Sequence, residues 1–273
     1  MPATGNNPLP MLYYFVKKHN LQLENTSFNL SVQLQTDGLS YAILEPQASE
    51  VVLMANVPFD QGEILDVRDL CSITSQVIDQ EDSLQIDFRS VVVSVVSPKA
   101  TVIPSAFFNS SDLKQYLDIN CQMGEWDELH HYALNNQVTM VFSLPQYIGN
   151  LFVQKFGSPT FVHQSTALIP EVLDISNERQ KKLFCVCLYN GFMDIVLAEC
   201  GDLILFNSFS YADENDFVYY IVSFCKKHQI NIDDADLYIN GDVNYCLQGL
   251  TCSGNFLPGF KFLGPSLSLN FPE

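Results

Sequence analysis

Two stretches of this sequence share one layout. In the first, Leu30–Leu34 alternates apolar and polar residues, reaches Asp37-Gly38, and continues as Leu39–Leu44 and Val51–Val57. In the second, Leu183–Leu188 leads to Asn190-Gly191, then to Phe192–Leu197 and Leu203–Phe209. Alternation with period two marks a strand with one buried face. Asp-Gly or Asn-Gly between such runs marks a tight hairpin, because its central residues tolerate positive φ. The two glycines, 38 and 191, lie 153 residues apart.

At that offset Asp60 falls on Asp213, and each opens a helical spacing. The apolar positions are Ile64, Val67, Cys71, Val77 and Ile78 in the first helix, and Phe217, Ile221, Phe224 and Cys225 in the second. Asp213 is the expected N-cap of the second helix, and Lys226, Lys227 and His228 close its last turn, as the helix dipole favours. A further strand follows each helix, at Ser90–Val96 and Leu237–Asn240. The expectation is an α/β chain with mixed sheets, in which three antiparallel strands, a helix and a strand occur twice.

Between the copies, Val138–Phe142 reads as a buried strand. Ser143-Leu144-Pro145 opens a helix over Gln146–Phe156, Gly157-Ser158-Pro159 closes it, and Thr160–Val162 reads as another strand. The polar stretch Ser176–Lys182 is read as the junction, giving an N-terminal half at 1–176 and a C-terminal half at 177–273. The tail from Thr251 to Glu273, rich in Gly, Pro and Phe, is expected to pack its aromatic rings on the second half.

Composition restricts the functional classes. Of 273 residues, 47% are hydrophobic, enough for a sizeable core and too many for a disordered chain. Thirteen Lys and Arg against 31 Asp and Glu leave a net charge of −18. Such a surface repels phosphates, and the basic pairs Lys17-Lys18, Lys181-Lys182 and Lys226-Lys227 are short and scattered, so neither nucleic acid nor an anionic membrane surface is the expected partner. No apolar run approaches the roughly 20 residues that span a bilayer. Met1–Gly5 lacks a basic leader, and Leu12–Val16 is too short for the apolar core of one, so the expected compartment is the cytoplasm. The eight cysteines fit it as free thiols. Cys185 and Cys187 share a strand face, and no CxxC pair suggests a metal or redox site.

The stretch Met140–Pro145 with its helix and following strand resembles the same region of pilus-assembly and cell-division members of the actin, hexokinase and Hsp70 superfamily. Three further segments are similar to a bacterial domain-of-unknown-function family of that superfamily. They are Ser97–Pro104 running to Phe107-Phe108, the Asp216–Lys226 helix, and Leu237–Asp242. Over Ser27 to Asn244 the resemblance implies a duplicated RNase H-like, actin-like ATPase fold and no established activity.

It also implies where a nucleotide would bind: a cleft between halves, with Asp-x-Gly hairpins at the phosphates. There, glycine would let backbone N–H groups approach phosphate and aspartate would hold Mg²⁺. The candidate residues are Asp37 and Gly38, Asn190 and Gly191, and Gly241 with Asp242. All depart from that pattern. Asp37 and Gly38 are adjacent, no acid stands two residues before Gly191, Phe192 and Met193 follow it, and Asn240-Gly241-Asp242 lacks a second glycine. No phosphate-binding P-loop is present.

Other constellations are weaker. Asp127 and His131 would share a helix face after Glu125-Trp126, but two ligands do not make a metal site. His163 before Gln164-Ser165-Thr166 reads as a hydrogen-bonded structural histidine, and Asp233-Asp234 with Asp236 as a solvated loop. No G-x-S-x-G element supports a serine hydrolase. The reading is a non-catalytic cytoplasmic binding or assembly module with a degenerate nucleotide site. It needs no cofactor or metal; its protein partner is unspecified, and self-association is compatible with it. A working ATPase using ATP and Mg²⁺ is the alternative. A two-metal RNase H-like nuclease is a remoter one, since the strands supply no converging set of carboxylates.

Overall fold

A computed structural model describes residues 12–16, 28–46, 50–59, 66–135, 137–230, 235–241 and 260–262. The chain forms two compact units, interleaved in sequence. The first comprises Met1–Val96, Gly124–Glu128 and Leu144–Val162; the second comprises Ser97–Met123, Leu129–Ser143 and His163–Glu273.

The first unit is built on a six-stranded sheet. In chain order its strands are β1 (Leu12–Val16), β2 (Phe28–Gln35), β3 (Gly38–Glu45), β4 (Glu50–Pro58), β5 (Phe88–Val95) and β9 (Thr160–His163). They lie in the order β1-β4-β3-β2-β5-β9. β2, β3 and β4 form an antiparallel meander, and β5 returns parallel to β2 through the crossover helix α1 (Val67–Gln80). Alternation in β2 buries Phe28, Leu30, Val32 and Leu34. α1 starts at Asp66, whose carboxylate accepts the N–H groups of Arg68 and Asp69, while Asp69 reciprocates on the Asp66 N–H. It packs beside α3 (Gln146–Phe156), to which Asp79 is tied by Lys155.

The second unit carries a five-stranded sheet of β10 (Lys182–Tyr189), β11 (Phe192–Glu199), β12 (Asp202–Ser210), β13 (Ala235–Gly241) and β14 (Phe260–Phe262), in the order β12-β11-β10-β13-β14. β10, β11 and β12 are antiparallel, β13 is parallel to β10, and β14 is parallel to β13. β10 and β11 are buried almost throughout because both faces are covered. α5 (Glu214–Lys227), capped by Asp213, places Phe217, Ile221, Phe224 and Cys225 against Phe184, Val186, Leu188, Met193, Ile195 and Leu197. α4 (Ser165–Arg179) packs against β10, β11 and β12. A three-stranded sheet of β6 (Ala100–Pro104), β7 (Asp127–Ala133) and β8 (Val138–Pro145), ordered β6-β8-β7, is joined by the short helix α2 (Leu113–Asp118).

Both large sheets thus contain a third-second-first-fourth strand order: β4-β3-β2-β5 and β12-β11-β10-β13. The third strand of each carries a bulge at the same place, where Val52 and Ile204 drop out of the pairing register. The registers correct the sequence offset. β10 begins at 182 where β2 begins at 28, so the hairpins are 154 residues apart, not 153. The matching turns are Thr36-Asp37 and Asn190-Gly191, and Gly38 is the first residue of β3. The first helix is capped by Asp66; Asp60, Ile64, Asp233, Asp234 and Asp242 lie outside the described residues.

Other segments differ from expectation. Asp127–Ala133 is a strand, on which Asp127 and His131 share a face but stand about 13 Å apart at roughly 3.3 Å per residue, too far to share a metal. Ser176–Lys182 lies within the second unit, as the last turn of α4 and its exit. Ser176 is buried with its hydroxyl donating to the Lys181 carbonyl, and Gln180 ends the helix at φ 50. Of the tail, β14 is described and adds a backbone strand to the sheet; the remainder lies outside the described residues. Cys71, Cys121, Cys200 and Cys225 carry free thiols.

Candidate functional site

In the second unit the hairpin turn Asn190-Gly191 and the last residue of β13 meet at one sheet edge. Leu188, two residues before the turn, pairs with Gly241. The C-terminal edge of parallel strands is where open α/β sheets usually bind ligands. Here the turn itself is exposed and aromatic side chains of the protein flank it. Tyr189 and Phe192 flank the turn with rings stacked 4.8 Å apart. Tyr211 donates its hydroxyl to the Tyr189 carbonyl (2.7 Å) and its N–H to the Gly191 carbonyl (3.0 Å). Phe192 and Met193 are buried.

The glycines have local explanations. Gly191 takes φ 80 in a two-residue turn, a conformation that suits glycine. Gly241 has φ 114, and a Cβ there would lie 2.2 Å from the Leu188 carbonyl oxygen, so close strand packing demands glycine. In the first unit a Cβ on Gly38 would meet the Val57 oxygen at 2.9 Å, and the carbonyl of Asp37 accepts the Phe59 N–H.

A second constellation escaped the sequence reading. Asp194 stands in the middle of the apolar strand β11 and is 0% exposed. Its Oδ1 accepts the Ser208 hydroxyl from β12 (2.5 Å). Its Oδ2 accepts the Ser165 hydroxyl (2.5 Å) and the Gln164 amide (3.0 Å) from the start of α4. The orientation of Gln164 is fixed by Ser97, whose N–H donates to Oε1 and whose carbonyl also accepts from Nε2. Burial raises the Asp194 carboxyl to about 6 against the pull of its three donors. The available signal was one acid inside the run Phe192–Leu197.

His163 completes the group, as the hydrogen-bonded structural histidine that was expected. Its Nε2 lies 2.8 Å from the Ser97 carbonyl, and its Nδ1 accepts the Ser165 N–H at 3.3 Å. That pairing requires the neutral ring with the proton on Nε2, since a proton on Nδ1 would face another N–H. Burial between the rings of Phe142 and Phe206 lowers its pKa to about 4. The arrangement braces α4 and the Ser97 segment onto the sheet and can hold or release protons. Ser165 is fully buried, so its hydroxyl is not presented to a substrate. Among the described residues no cluster of three His, Cys, Asp or Glu side chains could hold a metal ion. No described helix is long and apolar enough to cross a membrane.

The sequence from residue 17 to 245 matches the family described as Protein of unknown function (DUF3822). The chain belongs to the DUF3822 family. No curated protein matches it in sequence. Among solved structures, this DUF3822 chain is similar to a Bacteroides thetaiotaomicron protein with an actin-like ATPase fold and unknown function. The TM-score is 0.81 at 22% identity, over 89% of this chain and 93% of that one. It is also similar to the PilM-PilN type IV pilus biogenesis complex, with a TM-score of 0.57 at 9% identity, over 86% of this chain and 88% of that one. These likenesses establish an actin-like ATPase fold, in agreement with the resemblance drawn from the sequence.

Proposed function

We propose that this DUF3822 chain is a cytoplasmic binding or assembly module that keeps an internally duplicated actin-like fold without efficient nucleotide chemistry. The observation that carries the reading is the Asn190-Gly191 turn. A phosphate loop leaves small residues whose backbone N–H groups converge on the anion. This turn sits among Tyr189, Phe192 and Tyr211, with Met193 buried behind it. Gly241 and Gly38 serve close strand packing. On this reading Asp37, Gly38, Asn190, Gly191, Gly241 and Asp242 are the remnant of a nucleotide site. The likeness to a complex of PilM with PilN, in which a protein of this fold is found with a second protein, favours partner binding.

Calorimetry with MgATP tests the proposal. Each lost phosphate or Mg²⁺ contact costs on the order of 1–3 kcal/mol, and each 1.4 kcal/mol is about tenfold in affinity. Losing several moves a micromolar site beyond about millimolar, so no saturable heat is expected below that range. Saturable binding at about 1 μM, abolished by Asp37→Ala or Asp242→Ala, would refute the proposal and favour the ATPase alternative.

A further inference from the structure

The only tryptophan of the chain, Trp126, is 55% exposed. It sits on a tight turn whose ends are locked together. The Gly124 N–H donates to the Asp127 carboxylate (2.9 Å), and the Asp127 N–H reaches back to the Gly124 carbonyl (3.4 Å). The Trp126 carbonyl accepts the Gln146 N–H at the start of α3 (2.8 Å), which fixes the turn to a rigid element. The next residue on α3, Tyr147, is 38% exposed and carries the Arg68 guanidinium 5.7 Å from its ring centroid. All of these residues belong to the first unit.

The turn presents the large indole of Trp126 to solvent from a backbone anchored on α3. Tryptophan, tyrosine and arginine are the residues that most often anchor protein interfaces. The charge around the two rings defines the partner. Glu125 and Glu128 flank Trp126 in sequence; the Glu128 carboxylate lies over Gly149 on α3, where an added Cβ would be 3.5 Å from it. Asp66 and Asp69 flank Arg68 in the first turn of α1. Among the described residues named here Arg68 is the one positive charge, and its seat on Tyr147 shows the ring accepting a guanidinium. The chain as a whole stands at −18.

We propose that Trp126 and Tyr147, rimmed by Asp66, Asp69, Glu125 and Glu128, form the docking surface for a positively charged, arginine-bearing segment of a partner protein. The aromatic faces take guanidinium or apolar groups, and the carboxylates supply charge-assisted hydrogen bonds and steer the encounter. The inference rests on the binding-module reading and gives that module its surface and the chemistry of its partner.

Trp126 is its own reporter. The probe is a short peptide of alternating arginine and leucine, titrated into the full chain at moderate salt. A saturable shift in Trp126 emission is expected, with calorimetric affinity falling at least tenfold in Trp126→Ala and severalfold in Glu125→Gln. Asp82→Asn removes the same charge beyond the far end of α1 and is expected to leave affinity unchanged. The proposal is overturned by an unshifted emission, by wild-type affinity in Trp126→Ala, or by an equal loss in Asp82→Asn. Saturable binding of the glutamate–leucine counterpart overturns it too, as does a concentration-dependent shift without peptide, which would make the surface a self-association site. MgATP calorimetry on the same preparation reads the nucleotide question separately, so either idea can fail alone.

Discussion

Asp194→Asn should change the pH dependence of stability in a specific direction. Asp194 has its carboxyl raised from 3.8 to about 6 by burial. Between these values the folded chain holds a proton that the unfolded chain has released, so Asp194 makes stability fall as pH rises through that window. A shift of about two units at 1.36 kcal/mol each gives a loss on the order of 3 kcal/mol between about pH 4 and pH 7. His163 works in the opposite sense. Its pKa is lowered from 6.5 to about 4, so the unfolded chain binds the extra proton and stability rises with pH across that range. That contribution is also on the order of 3 kcal/mol. In the wild-type chain the two nearly cancel. Removing the Asp194 charge exposes the histidine: Asp194→Asn should lose on the order of 3 kcal/mol on acidification from pH 7 to pH 4. His163→Gln should gain a similar amount, and the double variant should return to a flat profile. Both residues contact Gln164 or Ser165, so the double variant also reads their coupling. The assay is urea unfolding at several pH values, with midpoint and slope reported separately. Parallel profiles for Asp194→Asn and the wild type would show that the carboxyl has the same affinity for protons folded and unfolded, and the burial argument would be wrong.

Gly241→Ala should destabilise by upwards of about 3 kcal/mol, because it combines a φ of 114 with a Cβ 2.2 Å from the Leu188 oxygen. Gly191→Ala meets no atom within 4 Å and should cost only the left-handed backbone strain, about 1 kcal/mol; equal losses in thermal melts would refute the distinction. Asp213→Ala should lower the melting temperature at neutral pH. Backbone N–H bonds from Asp216 and Asn215 hold the Asp213 carboxyl below its usual value, so its contribution is present above 3.8 and lost as pH falls through the folded value. A difference from wild type that persisted in stronger acid would sink the capping argument.

The elements that sequence revealed are those with a local signal. Gln146–Phe156 was legible from Pro145 in front and Gly157 behind, and the Asp213 cap from its acids and its terminal lysines. α4 was missed because its buried positions Leu168, Ile169, Val172 and Leu173 are mixed with Ser165, Pro170 and Ser176, so no clean apolar stripe forms. β7 was misread as a helix end because a period of four is shared by helix faces and strand faces when only Asp127 and His131 are weighed. The one-residue error in the repeat came from aligning glycines. Gly191 is a turn residue, whereas Gly38 is kept by its closeness to Val57, a tertiary constraint that leaves no mark on its neighbours. The Asp194 cluster draws on Ser97, Gln164, Ser165 and Ser208, which only the folded topology brings together.

The corrected offset explains what Asp194 adds. On β3 the residue that matches Asp194 is Ser40, and on β4 the residue that matches Ser208 is Asn56. Ser40 pairs with Asn56 in register as Asp194 does with Ser208. The Ser40 hydroxyl donates to Asn56 Oδ1 at 2.9 Å, so both hairpins carry a cross-strand side-chain hydrogen bond at the same point. In the first unit that bond is neutral and half-buried; in the second its acceptor is a fully buried carboxylate that also engages Gln164 and Ser165. A neutral pair is therefore sufficient to build this hairpin. The charge at Asp194 is an addition to the fold, one that costs desolvation at neutral pH and ties the start of α4 and the Ser97 segment to the sheet. Asparagine at 194 makes the pair neutral, as it is in the first unit: its Oδ1 can keep accepting from Ser165 and Gln164, while its amide NH2 faces Ser208, whose hydroxyl can turn a lone pair toward it. The Asp194→Asn chain should therefore fold, and what it loses is the proton-linked brace.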